Sequence, residues 1–347
     1  GGLLNATFGN AAELIIALFA LFKGYDEVVK ASLAGSILGN VLLVLGASLL
    51  AGGLKHSTQK FNRTAAGVGA TMLVLASLGL LVPAIFHELP EVTALDIGLE
   101  HELSIGVSII LILTYLAHLV FSLVTHKRLF NPENLDLHDE EDHWSSRTAT
   151  IVLIVATVLV GLMSEILVGA VEHASHFLGM NKIFIGVVVV AIVGNAAEHS
   201  TAVLVALKNQ MDLAVGIAVG SALQIALFVA PVLVFVSYLR AEPMDLRFTS
   251  LEVLAVIVGV FIAHMVAEDG ESNWLEGLML LMVYAILALA FFFVPERNKP
   301  KRELDPPGKA SAKDAAISVP GRFPDHSPGS PRELSGLFLT GSMASGK

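Results

Sequence analysis

Two glutamates, Glu13 and Glu198, each close the same five-residue string, Gly-Asn-Ala-Ala-Glu, at 9–13 and 194–198. Both strings lie in stretches that are otherwise apolar or small. Asn10 and Glu13 are three positions apart, as are Asn195 and Glu198, and on a helix that spacing puts amide and carboxylate on one face. A charged side chain at the centre of a membrane helix costs roughly 2.5–3.5 kcal/mol, so two cost roughly 5–7, comparable to the stability of a whole domain. Each must therefore be protonated, paired with a base, or neutralised by a bound cation. No Lys or Arg occurs in any of the nine long apolar runs of the chain. Protons and metal cations remain, which outlines a chemistry: two carboxylates that exchange protons for a cation.

The other residues shared by the two segments fit that chemistry. Shifting the chain by 185 positions superposes residues 9–45 on 194–230 without a gap, with 12 identities in 37 positions. Gly9 and Gly194 coincide, then Asn, Ala, Ala and Glu, then Gly35–Ser36 with Gly220–Ser221. Shared hydrophobicity cannot account for the polar members. Calcium prefers six to eight oxygens from carboxylates, amides, carbonyls and water. Glu13, Glu198, Asn10, Asn195, Ser36 and Ser221 are all oxygen donors, while Gly9 and Gly194 permit close backbone approach. Thiolates are absent because the chain has no cysteine, which argues against a copper(I) site. His199 would suit zinc or manganese, so the charge of the cation is better defined than its identity.

These residues need elements that hold them at depth. The chain is 54% hydrophobic and only 15% charged, against about 25% charged in a soluble protein. The apolar residues form nine runs of about membrane-spanning length, at 3–22, 31–51, 65–86, 103–125, 148–171, 183–207, 213–239, 248–267 and 274–294. They lack the alternating polarity of barrel strands. The expected fold is an all-α polytopic membrane protein. Glu13 falls in the first span and Glu198 in the sixth, an odd shift that reverses the direction of crossing. Inverted repeats of this kind are a recurring plan of secondary transporters, with substrate sites near the midplane.

The expected organisation is a first repeat over 1–125, an acidic linker over 126–147, a second repeat over 148–296 and a disordered Pro-, Gly- and Ser-rich tail over 297–347. Basic residues in loops 52–64 and 126–147 put those loops in the cytoplasm, although Arg240 and Arg247 fall on the opposite side. The linker residues Glu133, Asp136, Asp139, Glu140, Glu141 and Asp142 read as a solvated, charge-repelling segment, or as a cation sensor at the cytoplasmic mouth. Asn40 and Gln224 suit interhelical bonding or the ion path equally. His199 is a candidate proton relay, and Glu165 and Glu172 are candidates for the ion pathway. His87 and His264, at span ends, are expected at the interface. A formal net charge of −10 gives no support for nucleic-acid binding.

The strings "GNAAELIIALFAL" with "GSILGNVLLVLG", and "GNAAEHSTAV" with "GSALQIALFVAP", resemble the two α-repeats of the calcium/proton exchangers of the calcium:cation antiporter superfamily. "LMSEILVGAVE" and "DGESNWLEG" resemble further motifs of that family, and the likeness runs from Gly1 to about Pro295. It implies eleven spans in the complete protein, with the linker after the sixth, so that the first two and the start of the third would precede Gly1. It also implies that Glu13 and Glu198 are the central cation and proton carriers with Asn10 and Asn195 beside them. Ser36, Ser221 and Gln224 would stand on helices packed against them, and Glu165 along the pathway. Calcium and protons would be cargo, with no resident cofactor. The setting would be a prokaryotic cell membrane or a vacuolar one, and assembly into a homo-oligomer is compatible with the pattern. The rivals are a sodium/calcium exchanger of the same superfamily, a passive cation channel, and an intramembrane metal-dependent hydrolase. No HExxH motif supports the last.

Overall fold

The computed structural model describes residues 9–89, 98–130 and 145–295. The acidic residues at 133–142, the tail and the first eight residues lie outside them. The helices are α1 (Ala11–Phe22), α2 (Asp26–Lys55), α3 (Arg63–His87), α4 (Gly98–Thr125), α5 (Ser146–Leu178), α6 (Lys182–Gly194), α7 (Ala196–Leu207), α8 (Met211–Ser237), α9 (Ser250–Ala267) and α10 (Trp274–Phe292). Two short strands, β1 (Gln59–Lys60) and β2 (Glu271–Ser272), pair antiparallel and tie two loops together at one end of the bundle.

Seven of these helices are long and apolar enough to cross a membrane. The expected span at 183–207 is instead a bent pair, α6 and α7, that turns by 59° at Asn195. The expected span at 3–22 is represented among the described residues by the 12-residue α1. Starts and stops follow local chemistry. Asn62 caps α3 by accepting from the Ala65 amide at 3.1 Å. Thr249 with Glu252, and Asn273 with Glu276, form capping boxes on α9 and α10.

Burial ranks the helices. In α2 and α8, 72% of the apolar window is buried, against 11% in α5, so α2 and α8 form the centre. Large side chains such as Leu78, Leu116, Ile154 and Ile286 face outward, as a lipid solvent allows. The 185-residue shift is visible in the elements themselves. α1 and α7 are both 12 residues long and begin one residue after Asn10 and Asn195. Both are followed by a residue with positive φ at matching places, Gly24 at 77° and Asn209 at 61°. π-Helical turns interrupt α2 at Gly39–Val44 and α8 at Ile225–Val229, where local widening of the helix re-aims side chains.

Candidate functional site

Each GNAAE string opens a helix, and the second turns the corner between α6 and α7. Asn10 (φ −104°, ψ 35°) and Asn195 (φ −94°, ψ 7°) both leave helical geometry immediately before α1 and α7. The glutamate of each string therefore sits in the first turn of its helix, where amide N–H groups are unsatisfied and the helix dipole favours negative charge. That is a local reason for a carboxylate to be tolerated here.

The central helices bring the two strings together. Asn195 donates from Nδ2 to Ser36 Oγ at 3.1 Å and to the Ala191 carbonyl at 2.8 Å. Asn40 Nδ2 lies 3.5 Å from Asn195 Oδ1. Across the site, Asn10 donates to Gln224 Oε1 at 2.7 Å. Ser221 Oγ lies 2.7 Å from both carboxylate oxygens of Glu198. Gly194 faces Glu13: a side chain there would touch Glu13 Cγ and Oε1. Asn10, Glu13, Ser36, Asn40, Asn195, Ser221 and Gln224 are all buried, and Glu198 is half-buried.

Two acceptors in this cluster, Asn10 Oδ1 and Asn40 Oδ1, are buried without a hydrogen-bond partner among the described residues, as is His199 Nε2. An unmet buried polar atom costs about 1–3 kcal/mol, so such atoms call for a ligand or a function. No ion pair reaches Glu13 or Glu198 among the described residues. Nor do three His, Cys, Asp or Glu side chains converge there. A cation would be held by two carboxylates with amide and hydroxyl oxygens around them.

Other candidates lie apart. Gly9 is in the turn leading into α1. Glu165 is on the exposed face of α5, and the side chain of Glu172 and residues Glu133 to Asp142 are outside the described residues. His87 is at the end of its span as expected, but it is engaged there: its Nδ1 is 2.6 Å from Glu100 Oε1, with Arg247 beside both. The close approach that positions the site was only partly read from sequence. A Cβ at Gly35 would fall 2.1 Å from the Val187 carbonyl oxygen, so α2 and the π-turn Ile185–Val190 of α6 are in backbone contact. The signal was present, since Gly35 is among the residues shared by both segments.

The profile of the family described as sodium/calcium exchanger protein matches residues 1–124 and 148–293. The chain belongs to that family. This exchanger-family chain is 49% identical over 298 residues to the Ca(2+)/H(+) antiporter ChaA of Bacillus subtilis, covering 85% of this chain and 83% of the relative. It is 42% identical over 298 residues to a vacuolar calcium ion transporter of Schizosaccharomyces pombe, covering 85% and 72%. The solved structure of native YfkE superposes with a TM-score of 0.73 at 44% identity, covering 85% of this chain and 84% of that one. The likeness to calcium/proton exchangers carried by the two GNAAE strings is thus borne out. The chain is a multi-span membrane transporter of the exchanger class, not an enzyme, and relatives occur in bacteria and in vacuolar membranes.

Proposed function

We propose that the chain exchanges calcium for protons by alternating access, with Glu13 and Glu198 as the two carboxylates that carry either a calcium ion or protons. The two repeats, 1–125 and 148–296, would rock against each other around this site. The observation that carries the reading is the buried cluster in which two glutamates are flanked by the unpartnered acceptors Asn10 Oδ1 and Asn40 Oδ1. A divalent cation neutralises both carboxylates and gives those oxygens a partner. When it leaves, protons are the remaining way to neutralise carboxylates that have no basic partner among the described residues. Obligatory alternation between the two is exchange.

Asn195 and Ser36 support this by fixing the corner before α7, and Ser221 orients the Glu198 carboxylate. His199, with a buried unpartnered Nε2 beside Glu198, is placed by sequence to pass protons, and Glu165 remains a proposed element of the pathway. What the relatives' names say they transport agrees with this cargo. The test is calcium uptake into everted vesicles under an imposed proton gradient. Uptake driven by a sodium gradient and indifferent to protons would overturn the choice of coupling ion. Uptake indifferent to any opposing gradient would make the protein a channel.

A further inference from the structure

The repeat shift relates a second pair of residues that the site does not use. Lys55, at the end of α2, falls on Arg240, just beyond the end of α8. Each reaches across to the other repeat and donates to a carbonyl in the last turn of that repeat's glutamate-bearing helix. Lys55 Nζ is 3.0 Å from the Leu207 carbonyl of α7, and Arg240 Nη1 is 2.5 Å from the Leu21 carbonyl of α1. A helix C-terminus has unsatisfied carbonyls and partial negative charge, so a cation is well placed there. Because the spans alternate in direction, the two clasps lie at opposite ends of the bundle.

The clasps are not equally strong. Arg240 also forms a two-pronged ion pair with Asp26, Nη1 to Oδ1 at 2.6 Å and Nη2 to Oδ2 at 3.0 Å. Lys30 pairs with Asp245 in the same loop. The four side chains are 14–31% exposed, so their charges are only partly screened. Further bonds seat that loop: the Leu246 amide donates to Ser104 Oγ at 3.0 Å, and His101 Nε2 lies 3.1 Å from the Pro243 carbonyl. At the opposite end the counterparts of Asp26 and Lys30 are Met211 and Val215. There the site helix is held by Lys55, by Gln59 Nε2 on the Ala206 carbonyl at 2.9 Å and by His56 near Leu207. Asp212 accepts from the Asn62 amide. The one ion pair between the halves at that end among the described residues, Lys60–Glu271, is far more exposed and touches neither site helix.

We propose that the Asp26–Arg240 and Lys30–Asp245 pairs form a latch that closes the cation site toward the membrane face carrying residues 238–249. The latch ties the C-terminal end of α1, three turns from Glu13's end, to the loop between α8 and α9. Asp26 and Lys30 stand in the first turns of α2, directly after α1, so the α1–α2 corner cannot move away from α8 at that face without separating both pairs, and α1 itself is bound to Arg240 through the Leu21 carbonyl. The clasp on α7, which has no ion pair among the described residues, yields more easily, so the two faces differ in how firmly they shut. This inference rests on the exchange reading for its cycle but not for its geometry.

The chain has no cysteine, so an Asp26→Cys, Arg240→Cys variant carries only the pair of interest. Bridging it with a short, reducible bifunctional thiol reagent should lower calcium/proton exchange at least tenfold, and reduction should restore it. Failure of the two positions to bridge, or equal exchange before and after bridging, overturns the latch. A second measurement needs no transport. Ala20, buried on α1, is replaced by cysteine and labelled with an impermeant thiol reagent applied from the latch face. Adding Asp26→Asn and Asp245→Asn should raise the labelling rate roughly tenfold, since charge-assisted bonds are the stronger ones. An unchanged rate overturns the proposal. If the unbridged protein exchanges nothing, the exchange reading has failed, and the labelling rate still decides the latch.

Discussion

Replacing Gly35 with alanine should damage transport far more than its chemistry suggests. An added methyl would sit 2.1 Å from the Val187 carbonyl oxygen, whereas ordinary contact begins at 3.4 Å. The obstacle is backbone, so α2 and α6 must separate by about 1.3 Å, the difference between those distances. Ser36 is the next residue, and its 3.1 Å bond from Asn195 would stretch well past hydrogen-bond range. The substitution removes a helix penalty of about 0.5–1 kcal/mol but adds about 1–3 kcal/mol of overpacking. The net is a destabilisation of about 0–2.5 kcal/mol, which the unfolding measurement reads separately, while the corner before Glu198 moves by about 1 Å. A displacement of that size at a positioned group costs on the order of a hundredfold. The assay is calcium uptake in vesicles at matched expression, with thermal unfolding in detergent beside it. Gly216→Ala is the control, because nothing lies within 4 Å of its added methyl. Uptake by Gly35→Ala within twofold of the parent, or an equal loss in Gly216→Ala, would refute the close-approach argument.

Three further outcomes are expected. Glu13→Gln and Glu198→Gln should each abolish exchange while the protein still inserts and purifies, and residual exchange in either variant removes that glutamate from the mechanism. For Asp245, burial alone would raise the carboxyl, but Lys30, its hydrogen bond, and the amide and charge of Arg247 outweigh it and hold it below the ordinary range. A depressed folded-state value contributes stability that is complete above the unfolded value of about 3.9 and is lost as pH falls below it. Thermal stability should therefore decline below about pH 4, and Asp245→Asn should flatten that part of the profile. Asn181 caps α6 through the Phe184 amide at 2.7 Å and donates to the carbonyls of Phe291, Phe292 and Val294. Asn181→Ala should cost about 2 kcal/mol, lowering the melting temperature while exchange per folded molecule persists.

The spans were legible because a bilayer demands long apolar runs, and seven runs became single helices close to their expected limits. The paired glutamates were legible because a carboxylate in such a run is costly enough to need a reason. The bend between α6 and α7 was not, since the run at 183–207 is long enough for one span and neither Gly194–Asn195 nor the polar residues Glu198 to Thr201 have to break a helix. Arg240 and Arg247 read in sequence only as charges that disagreed with the loop rule. In the structure they meet Asp26 and Glu100, partners more than 140 residues away. Composition and periodicity carry no information about such pairings. The 185-residue frame does carry some, because it puts Arg240 on Lys55.

The same frame shows where the two halves stop being copies. Ser36 and Ser221 are equivalent in sequence, yet Ser221 donates to Glu198 while Ser36 accepts from Asn195. The divergence begins at the π-turns. The first repeat has Gly39–Asn40 where the second has Gln224–Ile225. Gln224 reaches Asn10, and no side chain at position 39 can return the contact to Asn195. Asn40 instead approaches Asn195, and Ile225 cannot do the same for Asn10. Each asparagine at the start of α1 or α7 is therefore held by α2 or α8 of the opposite repeat, but through different residues and from different turns. A site on an exact pseudo-twofold axis would present the same ligands to both faces and would have no basis for holding its two glutamates differently. Here Glu198 is gripped by a hydroxyl and half-buried, whereas Glu13 is buried against Gly194. If the two glutamates carry the protons as proposed, their unlike settings would let them bind and release protons at different points of the cycle, which a symmetric pair would not.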